Sequence, residues 1–282
     1  MISADAYSAS CDLILDPIYS PEIVFPAEPV RRIFVTSEKQ TFSCNVKIIR
    51  EVPGKPELVY ARTDHQFTRQ FFWSVKPYVS HIYAVNCEFE HPMITHIPLG
   101  FYIPEVLPKR PDGTHKKHLC YTNFDYSDSL WPAHNPYKSA RLDCIRYFDF
   151  PWVKTERELS NRTYFKRLAE CEFVVCPFGF GLDSYRVYES AWCGARPIVL
   201  TSGLDSIHKQ FGAVIVNDWC EVTEPFLIDI AKRGPLQVDP KLFLAETWIR
   251  SYHLDEQTND AGALHQHEQV GAGSARESGE GK

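Results

Sequence analysis

The sequence predicts an α/β fold with a parallel sheet in each half of the chain. Short apolar segments typical of buried strands alternate with segments typical of helices, as in repeated β–α–β units. A chain of 282 residues is long enough for two modest domains. Hydrophobic residues make up 44% of the sequence, which is enough to build a core.

The first half is predicted to be a strand-rich region that opens with a surface segment. Residues 1 to about 30 are rich in Pro and Ser, and we expect them to wrap the surface. An aromatic-rich helix is expected over residues 66–78, and the polar residues 104–117 suit a linker between domains. The predicted strands are 32–36, 46–50, 58–60 and 81–86, and residues 96–100 close this half.

The second half alternates strands and helices more regularly. Ser160 or Asn161 is expected to cap a helix, because side chains of this type accept hydrogen bonds from the first turn. The other predicted helices are 141–148, the segment after the glycine loop described below, and a last helix over 240–252. The predicted strands are 119–122, 173–176, 196–200 and 214–217.

Charge, cysteine usage and hydropathy exclude several classes of protein. The net charge is −6, and the segment after residue 254 carries six acidic and only two basic residues. The rest of the chain is therefore close to neutral, which argues against nucleic acid as a partner. We expect residues 255–282 to be a disordered acidic tail.

The nine cysteines include no C-x-x-C pair, and their number is odd. They are expected to be buried free thiols in a reducing compartment rather than a disulfide framework or a zinc site. No signal peptide and no membrane-spanning segment are visible, so the chain is expected to be soluble and cytoplasmic.

The most informative segment is a glycine loop between a strand and a helix. The apolar run 173–176 is followed by Pro177, and Gly179 and Gly181 would free the backbone for a tight turn. Asp183 or Ser184 is expected to cap the helix that follows. Helix N-termini attract anions, so the segment predicts a phosphate-binding loop.

Two known phosphate loops do not fit the segment. A dinucleotide fingerprint would need glycine where the chain has Ser184, and the Gly-Lys-Ser/Thr of a Walker A loop is absent. Arg186 and Glu189 could simply form a surface ion pair one helical turn apart. That interpretation explains neither the glycines nor their place after a strand, where α/β sheets bind ligands.

Residues 173–199 closely resemble a signature of the exostosin-like glycosyltransferases, which are glycosyltransferase family 47 and its relatives. The shared features are Cys-Pro before the glycines, Asp-Ser, Arg186, Glu189 and a Pro-Ile-Val strand. The resemblance covers residues 119–226 well and the first hundred residues loosely. It is greatest to the short, anchor-free versions of algae and large DNA viruses.

The resemblance implies a GT-B-like fold, in which two Rossmann-like domains face each other across a cleft. Residues 1–105 would form the acceptor-side domain and residues 106–254 the nucleotide-sugar-binding domain. Arg186 would hold the diphosphate and Glu189 the ribose hydroxyls. Arg141 would be a second phosphate clamp, unless it is an ordinary exposed helix arginine. Further contacts are implied at Asn123, Gly179, Gly181 and Ser184.

Two features of the sequence bear on the chemistry. No D-x-D triplet is present to hold a divalent metal, and two arginines with a helix N-terminus could stabilise the leaving diphosphate instead. We therefore expect no cofactor and metal-independent transfer. Asp64 is the preferred catalytic base, although it could equally cap the helix that begins near residue 66. The serious rivals are Glu88 and Glu90, and the other candidates are His65, His91 and His96.

The leading hypothesis is an inverting glycosyltransferase, either a hexosyl- or a pentosyltransferase. It would move a sugar from a UDP-sugar, with UDP-xylose as the first guess, to a hydroxyl of a glycan or glycoprotein. The alternative is a non-catalytic nucleotide-sugar or glycan-binding protein of the same fold. A nicotinamide-dependent enzyme using Gly179, Gly181 and Asp205 is disfavoured, because too little chain follows to complete six strands.

Overall fold

Ten parallel strands, divided between two five-stranded sheets, form the framework of the described part of the chain. The computed structural model describes residues 1–15, 28–36, 42–63, 65–111, 115–125, 137 and 140–249. The described elements belong to one compact unit, Met1–Ile249. The acidic tail predicted at 255–282 lies outside the described residues.

The first sheet is built in the order of the chain. Its strands pair in the sequence β1-β2-β3-β4-β5, and every pair is parallel. The strands are β1 (Leu13–Leu15), β2 (Arg32–Val35), β3 (Glu57–Tyr60), β4 (His81–Ala84) and β5 (Ile94–His96). The helices of this half are α1 (Ala4–Ser8), α2 (Phe42–Glu51) and α3 (Arg69–Val75).

The second sheet is also parallel, but its strands do not follow the order of the chain. They lie in the order β10-β9-β8-β6-β7, so strands are added first on one side of β6 and then on the other. Its strands are β6 (His118–Thr122), β7 (Val153–Thr155), β8 (Cys171–Val175), β9 (Arg196–Leu200) and β10 (Val214–Val216). Its helices are α4 (Ala140–Tyr147), α5 (Asn161–Glu170), α6 (Tyr185–Trp192), α7 (Asp205–Gln210) and α8 (Glu224–Ala231). Numbered from β6, this is the doubly wound order 2-1-3-4-5, which has a topological switch point between β6 and β8.

Both faces of the second sheet are buried, as is usual for a parallel sheet. Successive residues of a strand point to opposite faces, so Phe173 and Val175 enter one hydrophobic cluster while Val174 enters another. Helix α4 covers the first face through Cys144, and helix α6 covers the second through Val187. The chain therefore leaves β6 and β8 toward opposite faces.

The α/β class and the parallel sheets predicted from the sequence are confirmed, but three local predictions are wrong. Residues 46–50 lie in helix α2 rather than in a strand, and the helical spacing of the buried residues Asn45, Ile49 and Val52 explains why. Residues 240–249 form two short 3₁₀ turns, Pro240–Phe243 and Ala245–Thr247, rather than a helix. Strand β7 and helices α7 and α8 were not expected.

The first thirty residues were expected to wrap the surface, yet their described part contributes to the core. Ile2, Tyr7 and Leu15 are almost completely buried, and β1 adds an edge strand to the first sheet.

Six of the eight described cysteines are buried free thiols, as expected. Burial raises the pKa of the Cys176 thiol to about 12, which makes it unreactive at neutral pH. No helix in the described ranges is long and apolar enough to cross a membrane.

The N-terminal segment connects distant parts of the chain. The backbone N–H of Ile2 donates to the carbonyl of Phe243 at 2.8 Å, and the Ile2 carbonyl accepts from the N–H of Phe101 at 2.9 Å. The Tyr7 hydroxyl donates to the carbonyl of Pro98 at 2.9 Å. Gly100 permits this contact because its φ is +81° and a β-carbon there would lie 2.4 Å from the Ile2 carbonyl oxygen.

Gly100→Ala is expected to lower the free energy of unfolding substantially more than Gly234→Ala. Both glycines have a positive φ, so both substitutions carry the penalty of a left-handed alanine, about 1–2 kcal/mol. Only Gly100 adds a steric clash, since nothing lies within 4 Å of a β-carbon at Gly234. Urea unfolding should therefore show an additional loss of about 1–3 kcal/mol for Gly100→Ala. Equal losses for the two variants would contradict the close packing of Ile2 on Gly100.

Candidate functional site

The predicted donor-binding residues gather around the switch point of the second sheet. The loop after β6 leads to α4, and the loop after β8 leads to α6 on the opposite face. In doubly wound sheets, ligands bind outside the carboxyl ends of the two strands at this point, here β6 and β8. Asn123 follows β6, and residues 176–184 follow β8, so both predicted contact regions lie at this edge.

The loop after β8 is closed by its own backbone. The N–H of Gly179 donates to the carbonyl of Gly181 at 3.0 Å, and the N–H of Cys176 donates to Ile198 at 2.9 Å. Neither Gly179 nor Gly181 has a positive φ, so the turn does not need glycine for its backbone angles. A β-carbon at Gly179 would lie 3.4 Å from Nη2 of Arg141. That distance is an ordinary contact, so residue 179 packs on the arginine but does not have to be glycine to fit beside it.

Arg141 joins the two loops of the switch point. Its Nε donates to the carbonyl of Phe178 at 3.0 Å, and its Nη1 donates to the carbonyl of Asp125 at 3.1 Å. The guanidinium is thus held against the glycine loop instead of extending freely into solvent from α4. Its positive charge lies next to the backbone that was predicted to approach a phosphate.

Helix α6 begins and ends as the sequence predicted. Ser184 is its N-cap, with an extended backbone and a hydroxyl that accepts from the N–H of Arg186 at 3.4 Å. Gly194 follows the last turn with a φ of +75°, the left-handed conformation that commonly ends a helix. The first turn of α6 is therefore fixed at the carboxyl end of β8, with its N–H groups at the loop.

The Nε atom of Arg186 is buried and has no hydrogen-bond partner among the described residues. The guanidinium carbon lies 5.9 Å from the ring centroid of Tyr164. Burial alone would lower the pKa of Arg186, but the neighbouring Tyr164, Cys176 and Glu189 side chains outweigh it and raise that pKa. The side chain therefore stays cationic at the switch point and retains an unused hydrogen-bond donor.

Glu189 is held by a tyrosine and not by Arg186. Its Oε2 accepts from the Tyr164 hydroxyl at 2.7 Å. Burial raises the pKa of Glu189, against the lowering effect of the Tyr164 hydrogen bond and the Arg186 charge. No ion pair joins Arg186 to Glu189 among the described residues. The interpretation of the two as a surface ion pair is therefore wrong.

Asn123 connects the ends of β6 and β7. Its Nδ2 donates to the carbonyl of Glu156 at 2.8 Å. Burial disfavours the Glu156 carboxylate, but hydrogen bonds from Arg167 and Lys154 outweigh this and lower its pKa. Tyr121, also on β6, lies beside Glu156, and burial together with the Glu156 charge raises the pKa of its hydroxyl. The positions of Tyr121 and Glu156 beside Asn123 could not be predicted from the sequence, because strand tyrosines and loop glutamates are common.

Asp183 connects the glycine loop to the first half of the chain. Its buried carboxylate accepts from the N–H of Leu99 at 2.9 Å and from the N–H of Ser184 at 2.8 Å. It also accepts from the Tyr188 hydroxyl and from Nε2 of His208, the latter at 3.2 Å. Sequence reasoning treated Asp183 only as a possible helix cap, because its long-range partners cannot be read from spacing.

Asn86 completes the connection from the first sheet. Its Oδ1 accepts from the backbone N–H of Asp183 at 2.8 Å, and its Nδ2 donates to the carbonyl of Thr63 at 3.1 Å. Asn86 follows β4 and has a φ of +53°, a conformation that asparagine tolerates better than most residues. The carboxyl ends of both sheets are therefore joined by direct hydrogen bonds at this point.

The candidate bases differ in their exposure and in their hydrogen-bond partners. Asp64 lies outside the described residues. Nε2 of His96 is 3.0 Å from the carbonyl of Phe89. Glu90 is exposed, whereas Glu88 accepts a hydrogen bond from the Tyr137 hydroxyl at 3.0 Å. Within the described ranges, no group of three or more His, Cys, Asp or Glu residues could hold a metal ion.

Comparisons with known proteins point to glycosyltransferases. A family model described as the RXYLT1 C-terminal domain matches residues 134–210. Over 93 residues the chain is 29% identical to ribitol-5-phosphate xylosyltransferase 1 of Danio rerio. That match covers 28% of this chain and 21% of the relative, so the chain spans about a fifth of the relative's length. Residues 134–210 are thus similar to that domain, and 93 residues of the chain are similar to part of a xylosyltransferase.

A solved structure, the crystal structure of the GtfA/B complex, is also similar over 83% of this chain and 57% of that chain. The TM-score is 0.34 and the sequence identity is 11%.

Asp183→Asn is expected to lower the free energy of unfolding by about 3 kcal/mol, because an amide nitrogen would face hydrogen-bond donors in a buried site. Asp205→Asn is the matched control. Asp205 accepts from the N–H of Ser202 and the hydroxyl of Thr201 at a partly exposed helix start, so its loss should cost about 1 kcal/mol. Urea unfolding of both variants measures the difference. An Asp183→Asn variant as stable as Asp205→Asn would contradict the connecting role of Asp183.

Proposed function

We propose that the chain is a glycosyltransferase that uses a nucleotide sugar, with the glycine loop and helix α6 forming the donor site. The observation that carries this proposal is that two independently defined segments of the chain overlap. The segment that matches the RXYLT1 C-terminal domain, 134–210, is also the segment that supplies the predicted donor contacts at the switch point. Those contacts are Arg141, Gly179, Gly181, Ser184, Arg186 and Glu189.

The diphosphate of the donor would bind at the start of α6. The cationic Arg186 has a buried Nε that no described residue bonds, and the first turn of α6 adds backbone N–H groups and a positive partial charge. Arg141 would add a second positive charge across the glycine loop. Charge-assisted hydrogen bonds of this kind are the strong ones, and they favour phosphate oxygens.

The ribose would bind at Glu189. Its carboxylate is already oriented by the Tyr164 hydroxyl, which occupies Oε2. Oε1 can accept hydrogen bonds from ribose hydroxyls one helical turn beyond the diphosphate. Asn123, at the end of β6, would contribute a lesser contact from the other side of the switch point.

The reaction would be a single displacement with inversion at the anomeric carbon. The acceptor hydroxyl attacks that carbon, and the bond to the diphosphate oxygen breaks with its electron pair going to the departing UDP. Arg186, Arg141 and the start of α6 would stabilise the charge that develops there, which is the task that a divalent metal performs in other enzymes. Transfer would therefore be metal-independent.

The same proposal assigns a role to each half of the chain and names the substrates. Residues 1–105 would form the acceptor-side domain of a GT-B-like fold, residues 106–254 would bind the donor, and a cleft between them would hold the reacting groups. UDP-xylose is the first donor to test, because the similar protein of Danio rerio is named as a xylosyltransferase. The acceptor would be a glycan hydroxyl. From the sequence the candidates for the base are Asp64 and its rivals Glu88 and Glu90.

The proposal predicts donor binding and turnover in the presence of EDTA. Incubation with a panel of UDP-sugars should raise the melting temperature most with the true donor, since a ligand that binds only the folded state stabilises it. Slow release of UDP by hydrolysis should persist with EDTA. Absence of affinity for any nucleoside diphosphate would overturn the proposal. Binding without release of UDP from any donor would instead favour a non-catalytic sugar-nucleotide-binding protein.

Arg186→Ala should weaken UDP binding by about 10- to 100-fold, the cost of losing hydrogen bonds to a charged group. Arg162→Ala is the control, because Arg162 is an exposed arginine near the start of α5 with no role at the switch point. Isothermal titration calorimetry with UDP gives both affinities. Unchanged affinity in Arg186→Ala would refute its assignment to the diphosphate.

A further inference from the structure

The carboxylates of the first half differ in whether they are free to act on an acceptor. Glu57 lies at the amino end of β3 in a buried ion pair with Arg32. Asp12 precedes β1 and accepts from two backbone N–H groups. Asp5 is paired with Arg62. Glu57 and Asp12 lie at the amino ends of their strands and Asp5 lies in α1, whereas the loop after β4 carries Glu88 at the carboxyl end of the first sheet, where α/β sheets bind ligands.

Glu88 is exposed, but one of its oxygens is fixed in place. Oε1 accepts from the Tyr137 hydroxyl at 3.0 Å and also from Nε2 of Gln66. Both hydrogen bonds fall on the same oxygen, so within the described residues Oε2 is left to accept another proton. Oε2 is therefore the atom that can take the proton of an acceptor hydroxyl, as a general base does.

The residue that orients Glu88 packs on the glycine loop. The ring centroids of Tyr137 and Phe178 are 5.2 Å apart, and the Phe178 carbonyl is the group that accepts from Arg141. Glu88 is therefore connected through a single side chain to the loop that carries the proposed donor site. Burial and the neighbouring Glu88 charge raise the pKa of Tyr137, so its hydroxyl remains a donor.

The backbone of Glu88 is fixed by the second sheet as well. A β-carbon at Gly203 would lie 2.6 Å from the Glu88 carbonyl oxygen, so the loop after β9 packs directly on the loop after β4. Glu88 is thus held between the loop after β9 and Tyr137, which precedes α4, and both belong to the donor half. A carboxylate fixed in this way has a defined position relative to the switch point.

We propose that Glu88 is the general base of the transfer, with Tyr137 and Gln66 as its positioning residues. The inference rests on the proposed function. Oε2 takes the proton of the acceptor hydroxyl as its oxygen forms the bond to the anomeric carbon. The bond from that carbon to the diphosphate oxygen breaks, and UDP leaves with the electron pair. The proton stays on Glu88 until solvent removes it.

Glu88→Gln should lower kcat for UDP-xylose turnover by about 10²- to 10⁴-fold, the usual contribution of a positioned base. The affinity for UDP should stay unchanged, since Glu88 touches no proposed donor contact. Glu105→Gln is the control, because Glu105 is an exposed carboxylate in the 3₁₀ turn Pro104–Val106 and should leave kcat unchanged. Wild-type turnover in Glu88→Gln would overturn the assignment, and a loss confined to Asp64→Asn or Glu90→Gln would reassign the base.

Tyr137→Phe tests the positioning role through a double-mutant cycle. The substitution removes one of the hydrogen bonds that hold Oε1 of Glu88, so kcat should fall while the affinity for UDP stays unchanged. Adding Tyr137→Phe to Glu88→Gln should lower kcat no further, because the two residues act through the same carboxylate. An unchanged kcat in Tyr137→Phe, or a further loss in the double variant, would contradict the role of Tyr137.

UDP calorimetry on the same variants separates the two proposals. Failure of wild-type protein to bind UDP overturns the proposed function, whereas intact UDP binding with normal turnover in Glu88→Gln overturns only the base. Wild-type protein that binds UDP but turns over no donor, with or without an added glycan, overturns both the transfer and its base.

Discussion

The buried carboxylate of Asp183 is the interaction on which the arrangement of the candidate site depends. It lies between the end of β8 and the cap of α6, and it accepts from the backbone of Leu99 in the first half of the chain. A buried charge is stable only when its lone pairs are satisfied, so each donor around it is under a positional constraint. His208 on α7 extends that constraint to the loop after β9. The start of α6, and Arg186 with it, is consequently placed by groups from both sheets.

This arrangement explains how an arginine can keep a buried nitrogen without a partner. An unsatisfied buried donor normally costs stability, and it persists where the surrounding structure compensates. Here the compensation comes from the Tyr164 ring, the nearby Glu189 charge and a helix start fixed by Ser184 and Asp183. Preorganisation of this kind has a chemical advantage, because a fixed positive charge needs little rearrangement when negative charge develops beside it.

The sequence predicted the local features of the site better than its long-range connections. The strand, loop, Ser184 cap and Gly194 stop of the glycine-loop unit are encoded within a few residues of one another, and all were predictable. The helix at 46–50 was missed because a short β-branched run fits either a strand or a buried helix face. The hydrogen bonds of Asp183 to Leu99 and Asn86 span 84 and 97 residues, and no spacing rule contains them. Glu88 was named only among several rivals, since Tyr137 reaches it from 49 residues away.

The hydrogen bond between Ile2 and Phe243 has a consequence for how the chain reaches this structure during synthesis. Contacts between residues so far apart in sequence carry a large loop-closure cost and form late. The first sheet pairs its strands in chain order and can assemble with Ile2 and Tyr7 already bonded to residues 98–101, but the hydrogen bond from Ile2 to Phe243 forms only after residue 243 has been made. Ile2 is fully buried in the finished fold, and the last of its contacts therefore forms late. The packing of residues 98–101 is completed only when the two distant segments meet.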